Sequence, residues 1–258
     1  MLRINSILGI NDSNIQALEC PDILKQKLSN YSKELLEIFG DDLLGVYLYG
    51  SLARGCYHPA ASDVDIIVVT KGQYKEPDTS AILQIHLNVG TPVDAAFVSE
   101  AQLCTDVFPT PVTFLMKSMP DYKIVYVPEG RGDFLLQRQD VYEAGVALVG
   151  ALPKDQFNPV PWPLLTQSLD YLFPYIVSHF KNPVLMLCRI AHAWTKHSLC
   201  GKKQAGEWAA EALGEQWSPV ISTALAEYAN GVTKPTIPAA TLSEFEDFCA
   251  KYIDDLRA

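Results

Sequence analysis

The chain has 258 residues, 48% of them apolar and 19% charged, with a formal net charge of -10 at pH 7. That length can bury one large or two modest cores, and the acidic balance argues against a general nucleic-acid binder, which needs a basic patch. No apolar run approaches the roughly eighteen residues of a membrane span, no export signal is visible, and the six cysteines lack zinc spacing, so the expectation is a soluble, cytoplasmic chain with reduced thiols.

Pro21 to Phe39 places Ile23, Leu24, Leu28, Tyr31, Leu35, Leu36 and Phe39 at helical spacing, with Gly40 where a helix stops. Leu44 to Tyr49, ended by Gly50, and Val64 to Val69 read as buried strands. Pro92 to Val98 and Tyr122 to Val127 are further strand candidates, bounded by Gly90-Thr91 and by Pro128-Glu129-Gly130. This mixture predicts an α/β or α+β first domain. From Asp133 onward the periods are helical. Phe134, Val141, Ala144 and Leu148 fit one helix, and Leu185 to Thr195, Gln204 to Leu213 and Leu242 to Leu256 fit three more. Gly150 to Pro163 holds four prolines and reads as a connection. The predicted domains are 1–152 and 153–258.

The informative segment is Tyr49-Gly50-Ser51-Leu52-Ala53-Arg54-Gly55, followed by Ser62-Asp63-Val64-Asp65 at the head of an apolar run. Side chains alternate along a strand, so Asp63 and Asp65 share a face. Two carboxylates there repel unless a cation neutralises them, and hard oxygen ligands suit magnesium. Gly50 and Ser51 stand between a strand and a helix start, where backbone N–H groups favour phosphate. A phosphate cradle and a metal site together are what a magnesium-bound triphosphate needs. A third carboxylate is expected at Asp94, which would reach the metal if its strand lies beside that of Asp63. There it can serve as a metal ligand and as a general base. Glu76, Asp78 and Glu100 are the competing acids nearby.

Gly-Ser, a gap, Asp-x-Asp on a strand and a later carboxylate together resemble the polymerase-β-type nucleotidyltransferase superfamily. Further residues are similar to the helical domain of the aminoglycoside adenylyltransferases that act on streptomycin and spectinomycin: Val146 to Gly150, Phe157 to Pro161, Val184 to Ile190, Trp208-Ala209, and Pro219 to Ile221 with Tyr228. The resemblance implies an α+β fold: an N-terminal nucleotidyltransferase domain with a mixed sheet, then an all-α helical bundle. It places Ser62 with Gly50 and Ser51 at the nucleotide, together with Arg189, Lys202 and Tyr228 from the helical domain. An arginine in the apolar run Leu185 to Ala191 agrees with an anion as its partner. The loop Ile176 to Asn182 lacks the Trp and acidic residues of members that modify streptomycin, which favours a spectinomycin-like acceptor.

The function expected from this resemblance is magnesium-dependent transfer of AMP from ATP to a hydroxyl of an aminoglycoside or aminocyclitol, by a monomer with no nucleic-acid or membrane partner. The alternatives are the same chemistry on a protein side chain or RNA end, and a non-catalytic nucleotide-binding module.

Overall fold

The structure is a computed structural model that describes residues 9–72, 79–118, 122–232, 234 and 236–257. The chain divides into two compact units. One comprises the chain up to Tyr57 with Ser62–Val160, and the other His58–Ala61 with Pro161–Ala258. In order, the first contains α1 (Asp12–Ala17), α2 (Asp22–Phe39), β1 (Leu43–Tyr49), the single turn α3 (Gly50–Ala53), β2 (Val64–Thr70), α4 (Thr79–Val89), β3 (Val93–Ser99) and α5 (Glu100–Leu103). It continues with β4 (Phe114–Lys117), β5 (Lys123–Val125), α6 (Phe134–Ala144), β6 (Val146–Gly150) and α7 (Pro153–Gln156).

Among the described residues these strands form one six-stranded mixed sheet, ordered β5-β4-β3-β2-β1-β6. β2 and β3 run parallel and the other neighbours are antiparallel. A parallel pair needs a crossover, which α4 supplies. Strand alternation sorts the core into two faces. Val46, Leu48, Ile66, Val68, Ala95 and Phe97 pack with Leu28, Tyr31 and Leu35 of α2 and Ile82 of α4. Tyr47, Tyr49, Ile67, Val69, Ala96 and Val98 pack with Phe134 and Val141 of α6 and with Phe157. Each buried Val, Leu, Ile or Phe among them contributes about 1.5–3 kcal/mol. α2 follows its apolar spacing, and Gly40 ends it at φ +51 with its amide on Leu36 O.

Two expectations fail here. The helix expected to include Leu148 ends at Ala144, where Gly145 N–H closes on Val141 O, and Val146–Gly150 becomes β6 against β1. Pairing with an open sheet edge outweighs the helical period of that stretch. β4 was not foreseen, because four residues between proline-rich flanks carry too little pattern.

The second unit is helical: α8 (Trp162–Leu172), α9 (Ile176–His179), α10 (Pro183–Lys196), α11 (Lys202–Ala212), α12 (Ser218–Ala229) and α13 (Ala239–Arg257). Of the four prolines expected to hold Gly150–Pro163 out of helix, Pro153 and Pro163 instead stand in the first turns of α7 and α8, where a missing N–H costs nothing, while Pro159 and Pro161 lie in the connection before α8. α10 is central, burying Val184, Leu185, Leu187, Cys188 and Ala191 and touching α11, α12 and α13. Gly206 permits the close approach, since a Cβ there would lie 2.7 Å from Leu225 and 2.8 Å from Leu185. Among the described residues no helix is long and apolar enough to cross a membrane.

Candidate active site

The sheet register brings the acidic residues together. Asp65 is paired with Asp94 in the parallel β2–β3 ladder, so both carboxylates leave the sheet on the face that α6 covers, at the N-terminal ends of both strands. Asp63 precedes β2 by one residue and is half-buried. β1 runs the other way and delivers Tyr49 opposite Asp65, with Gly50 and Ser51 immediately beyond. Glu100 sits at the far end of β3 and is exposed, which removes it as the third acid, while Glu76 and Asp78 lie outside the described residues.

Gly50 adopts φ +69, and a Cβ built on it would stand 2.3 Å from Asp65 Oδ2. Glycine is therefore required twice, for the left-handed backbone and for the space that the carboxylate fills. The Gly50 amide is committed within the protein, donating to Asp140 Oδ2 of α6 at 2.9 Å. Asp140 also accepts from Arg54 Nε at 2.8 Å and Nη2 at 2.5 Å, and Arg54 reaches Glu143 at 3.4 Å. One buried aspartate thus clamps both ends of α3. Ser51 Oγ, by contrast, is buried without a hydrogen-bond partner, as expected of a hydroxyl that serves a ligand.

Asp94 is held by the end of β4. Lys117 Nζ donates to Oδ2 at 2.9 Å, and the Ser118 amide and hydroxyl donate to Oδ1 at 2.9 and 2.8 Å. Burial opposes ionisation of Asp94, but the ammonium and the Ser118 donors outweigh it and hold the carboxyl below its usual range. Burial, reinforced by the Asp65 carboxylate, pushes the Tyr49 phenol well above its ordinary value. Nearby, Arg131 and Asp133 form a bidentate pair.

The donors suit a hard divalent ion: carboxylate oxygens aligned on one face, beside an orphaned hydroxyl and a backbone turn that a Cβ would block. As the side chains stand, no three acidic, His or Cys groups among the described residues enclose an ion, and Lys117 is the cation on Asp94.

In the helical unit, Arg189 lies on α10, Lys202 on α11 and Tyr228 on α12. Arg189 Nε donates to the Cys200 carbonyl at 2.9 Å and Nη1 meets Met186 Sδ, so neither contact is an anion. Lys202 begins α11 with its ammonium 5.9 Å from the Tyr228 ring centre. Ser62 is half-buried, next to Asp63. Sequence reasoning missed Lys117, Ser118 and Asp140. For Asp140 a weak signal existed: Phe134, Arg138 and Val141 fall on one stripe, so α6 had to bury charge.

The nucleotidyltransferase domain family matches residues 28–122, and the aminoglycoside adenylyltransferase C-terminal domain family matches residues 157–252. Together the two matches span most of the chain and give it the domain order of one family, a nucleotidyltransferase domain followed by an aminoglycoside adenylyltransferase C-terminal domain. Its similar relatives in this family include a spectinomycin 9-adenylyltransferase of Campylobacter jejuni, 23% identical over 207 residues, covering 74% of this chain and 80% of the relative. An aminoglycoside (3'')(9) adenylyltransferase of Klebsiella pneumoniae is 24% identical over 244 residues, covering 84% and 93%. The fold matches that of the spectinomycin adenyltransferase AAD(9) from Enterococcus faecialis, solved with ATP and spectinomycin. Its TM-score is 0.69 at 14% identity, over 90% of this chain and 99% of that one. The expected family and the α+β class are both borne out.

Proposed function

We propose that this nucleotidyltransferase moves AMP from ATP to a hydroxyl of an aminoglycoside or aminocyclitol, with spectinomycin ahead of streptomycin as acceptor, and releases pyrophosphate. The observation that carries this reading is the in-register alignment of Asp65 with Asp94 on one sheet face, against the Gly50 turn. The curated relatives' activities on spectinomycin and aminoglycosides support the acceptor class.

Asp63 and Asp65 would hold magnesium, with Asp94 beside them. When bound, the ion screens the triphosphate and stabilises charge on the departing pyrophosphate. Ser51, with its unpartnered hydroxyl, donates to a phosphate oxygen, and the Gly50 turn lets the nucleotide approach the backbone. Asp94 takes the proton of the acceptor hydroxyl as its oxygen forms a bond to the α-phosphorus and the bond to the bridging oxygen breaks in line. Within the helical unit, Arg189, Lys202 and Tyr228 are the residues that the family resemblance assigns to nucleotide binding, and in the first unit Ser62 lies beside the metal-binding acids. The acidic chain suits a cationic acceptor.

The test is a panel of aminoglycosides and aminocyclitols incubated with ATP and magnesium and read by mass spectrometry. Spectinomycin should gain one adenylyl group. No adduct on any member, with label from ATP on protein or RNA in a lysate, would reject the acceptor assignment.

A further inference from the structure

The loop that joins Ser51 to Asp63 leaves the first unit after Tyr57 and rejoins it at Ser62, and its tip, His58–Ala61, is part of the helical unit. The tip is a built turn. Pro59 restricts its own φ and the backbone of His58 before it. Ala61 N–H donates to His58 O at 3.1 Å, and Ala60 N–H donates to His58 Nδ1 at 3.3 Å, which orients the imidazole. That ring lies over Gly231. A Cβ built on Gly231 would stand 2.6 Å from His58 Nδ1 and nearer still to Cε1, and the backbone there has φ +67. Glycine is therefore required both for the conformation and for the space that the ring fills. Gly231 is itself held in place. Its amide donates to Tyr228 O at 3.1 Å, and Val232 N–H donates to Glu227 O at 2.9 Å. The Glu227 carboxylate accepts from the amide and hydroxyl of Thr236 at 2.7 and 2.5 Å. The surface that receives His58 is thus a closed turn at the C-terminal end of α12.

We propose that His58 is a positioning residue: seated on Gly231, it anchors the loop whose two ends carry Ser51 and Asp63, and so sets the Ser51 hydroxyl and the Asp63 carboxylate together for the triphosphate. This rests on the proposed nucleotide site and adds to it a residue that acts through Ser51 and Asp63 rather than on the nucleotide. A loop fixed only at its ends samples many conformations that have to be given up when ligand binds. Fixed at its middle as well, it has given most of them up beforehand. The anchor is a shape contact between a flat ring and a bare Cα, so it depends on the absence of a side chain at Gly231 as much as on the presence of one at His58.

The test compares wild type with Gly231→Ala, His58→Ala and the double variant by two readouts. In nucleotide-free protein, hydrogen–deuterium exchange of the amides of residues 56–63 should rise in each single variant. Calorimetry with magnesium and an ATP analogue that has a methylene group between the α- and β-phosphorus should show affinity falling about tenfold in each, since displacing a positioning group by about 1 Å costs up to about 100-fold. His58→Ala removes the ring that the new Cβ would strike, so the double variant should bind no more weakly than the poorer single one. His58→Phe keeps a flat ring over Gly231 and should restore most of the affinity lost in His58→Ala. Melting temperatures identify any variant that fails to fold, and the Ala and Phe variants of His58 then carry the comparison. Wild-type exchange and affinity in folded His58→Ala, or two losses that multiply in the double variant, would overturn the inference and leave the proposed function standing. No binding of the analogue by wild type would overturn the nucleotide site, and this inference with it.

Discussion

Replacing Asp140 by Ala removes, in one step, the acceptor of the Gly50 amide and the principal anion of Arg54. Asp140 is 4% exposed, so water cannot substitute for it. A hydrogen bond to a charged group is worth about 1.5–3 kcal/mol, and stripping one partner from a buried ion pair costs about 3–5 kcal/mol. Arg54 retains Glu143 at 3.4 Å and its side chain is 14% exposed, which lowers the expected loss to about 2–4 kcal/mol. At this chain length that corresponds to roughly 5–15 °C in melting temperature. Asp140→Asn keeps a carbonyl for the Gly50 amide and should cost about half as much. Because the Gly50 turn touches Asp65 and belongs to the proposed nucleotide site, the folded Ala variant should also raise KM for ATP more than it lowers kcat. Urea and thermal unfolding with steady-state kinetics make the measurement. An Ala variant within about 0.5 kcal/mol of wild type, with unchanged KM, would refute the clamp.

Gly50→Ala forces a Cβ onto the Asp65 carboxylate at an unfavourable φ; it should lower kcat at least about 100-fold in a protein that still folds, and circular dichroism with turnover assays checks both halves. Asp65→Asn and Asp94→Asn should each lower kcat by about 100–1000-fold, but only Asp65→Asn should also abolish manganese binding with the nucleotide; full activity in either would remove that residue from the mechanism. His86 gives a pH dependence. It is buried against Tyr31, with its ring nitrogen on Ile82 O, and burial lowers its pKa from 6.5 to about 4. The unfolded chain therefore binds a proton that the folded chain refuses: stability is full above pH 6.5, falls by up to about 3 kcal/mol between 6.5 and 4, and levels off below. Urea midpoints across that range should fall more steeply for wild type than for His86→Gln, and parallel slopes would contradict the assignment.

Those parts of the fold that rest on local pattern were readable in the residues. β1, β2 and β3 are short apolar runs bounded by glycine and acids, and α2, α10, α11 and α13 follow their apolar spacing. Asp63 and Asp65 could be recognised because a charged pair at the head of an apolar strand needs a reason. Parts resting on long-range register were not readable. Lys117 meets Asp94 across 23 residues and Gly50 meets Asp140 across 90, and in each case the meeting depends on which strand or helix lies alongside. β6 hid behind a helical period because its stability comes from pairing with β1, a partner a hundred residues earlier in the chain. The Gly50 amide, free in a sequence reading, proves to be spoken for once α6 is in place, and the Ser51 hydroxyl is the donor left without a partner.

Nucleotidyl transfer to a small hydroxyl compound predicts the fate of each phosphorus of ATP. Two reactions with spectinomycin, one with ATP labelled at the α-phosphorus and one with label at the γ-phosphorus, separate the possibilities directly. The α-label should pass to the drug while the γ-label leaves as pyrophosphate, and Asp94→Asn should suppress both. Transfer of the γ-label to the drug would mean a phosphotransferase and would contradict the account built on Asp63, Asp65 and Asp94.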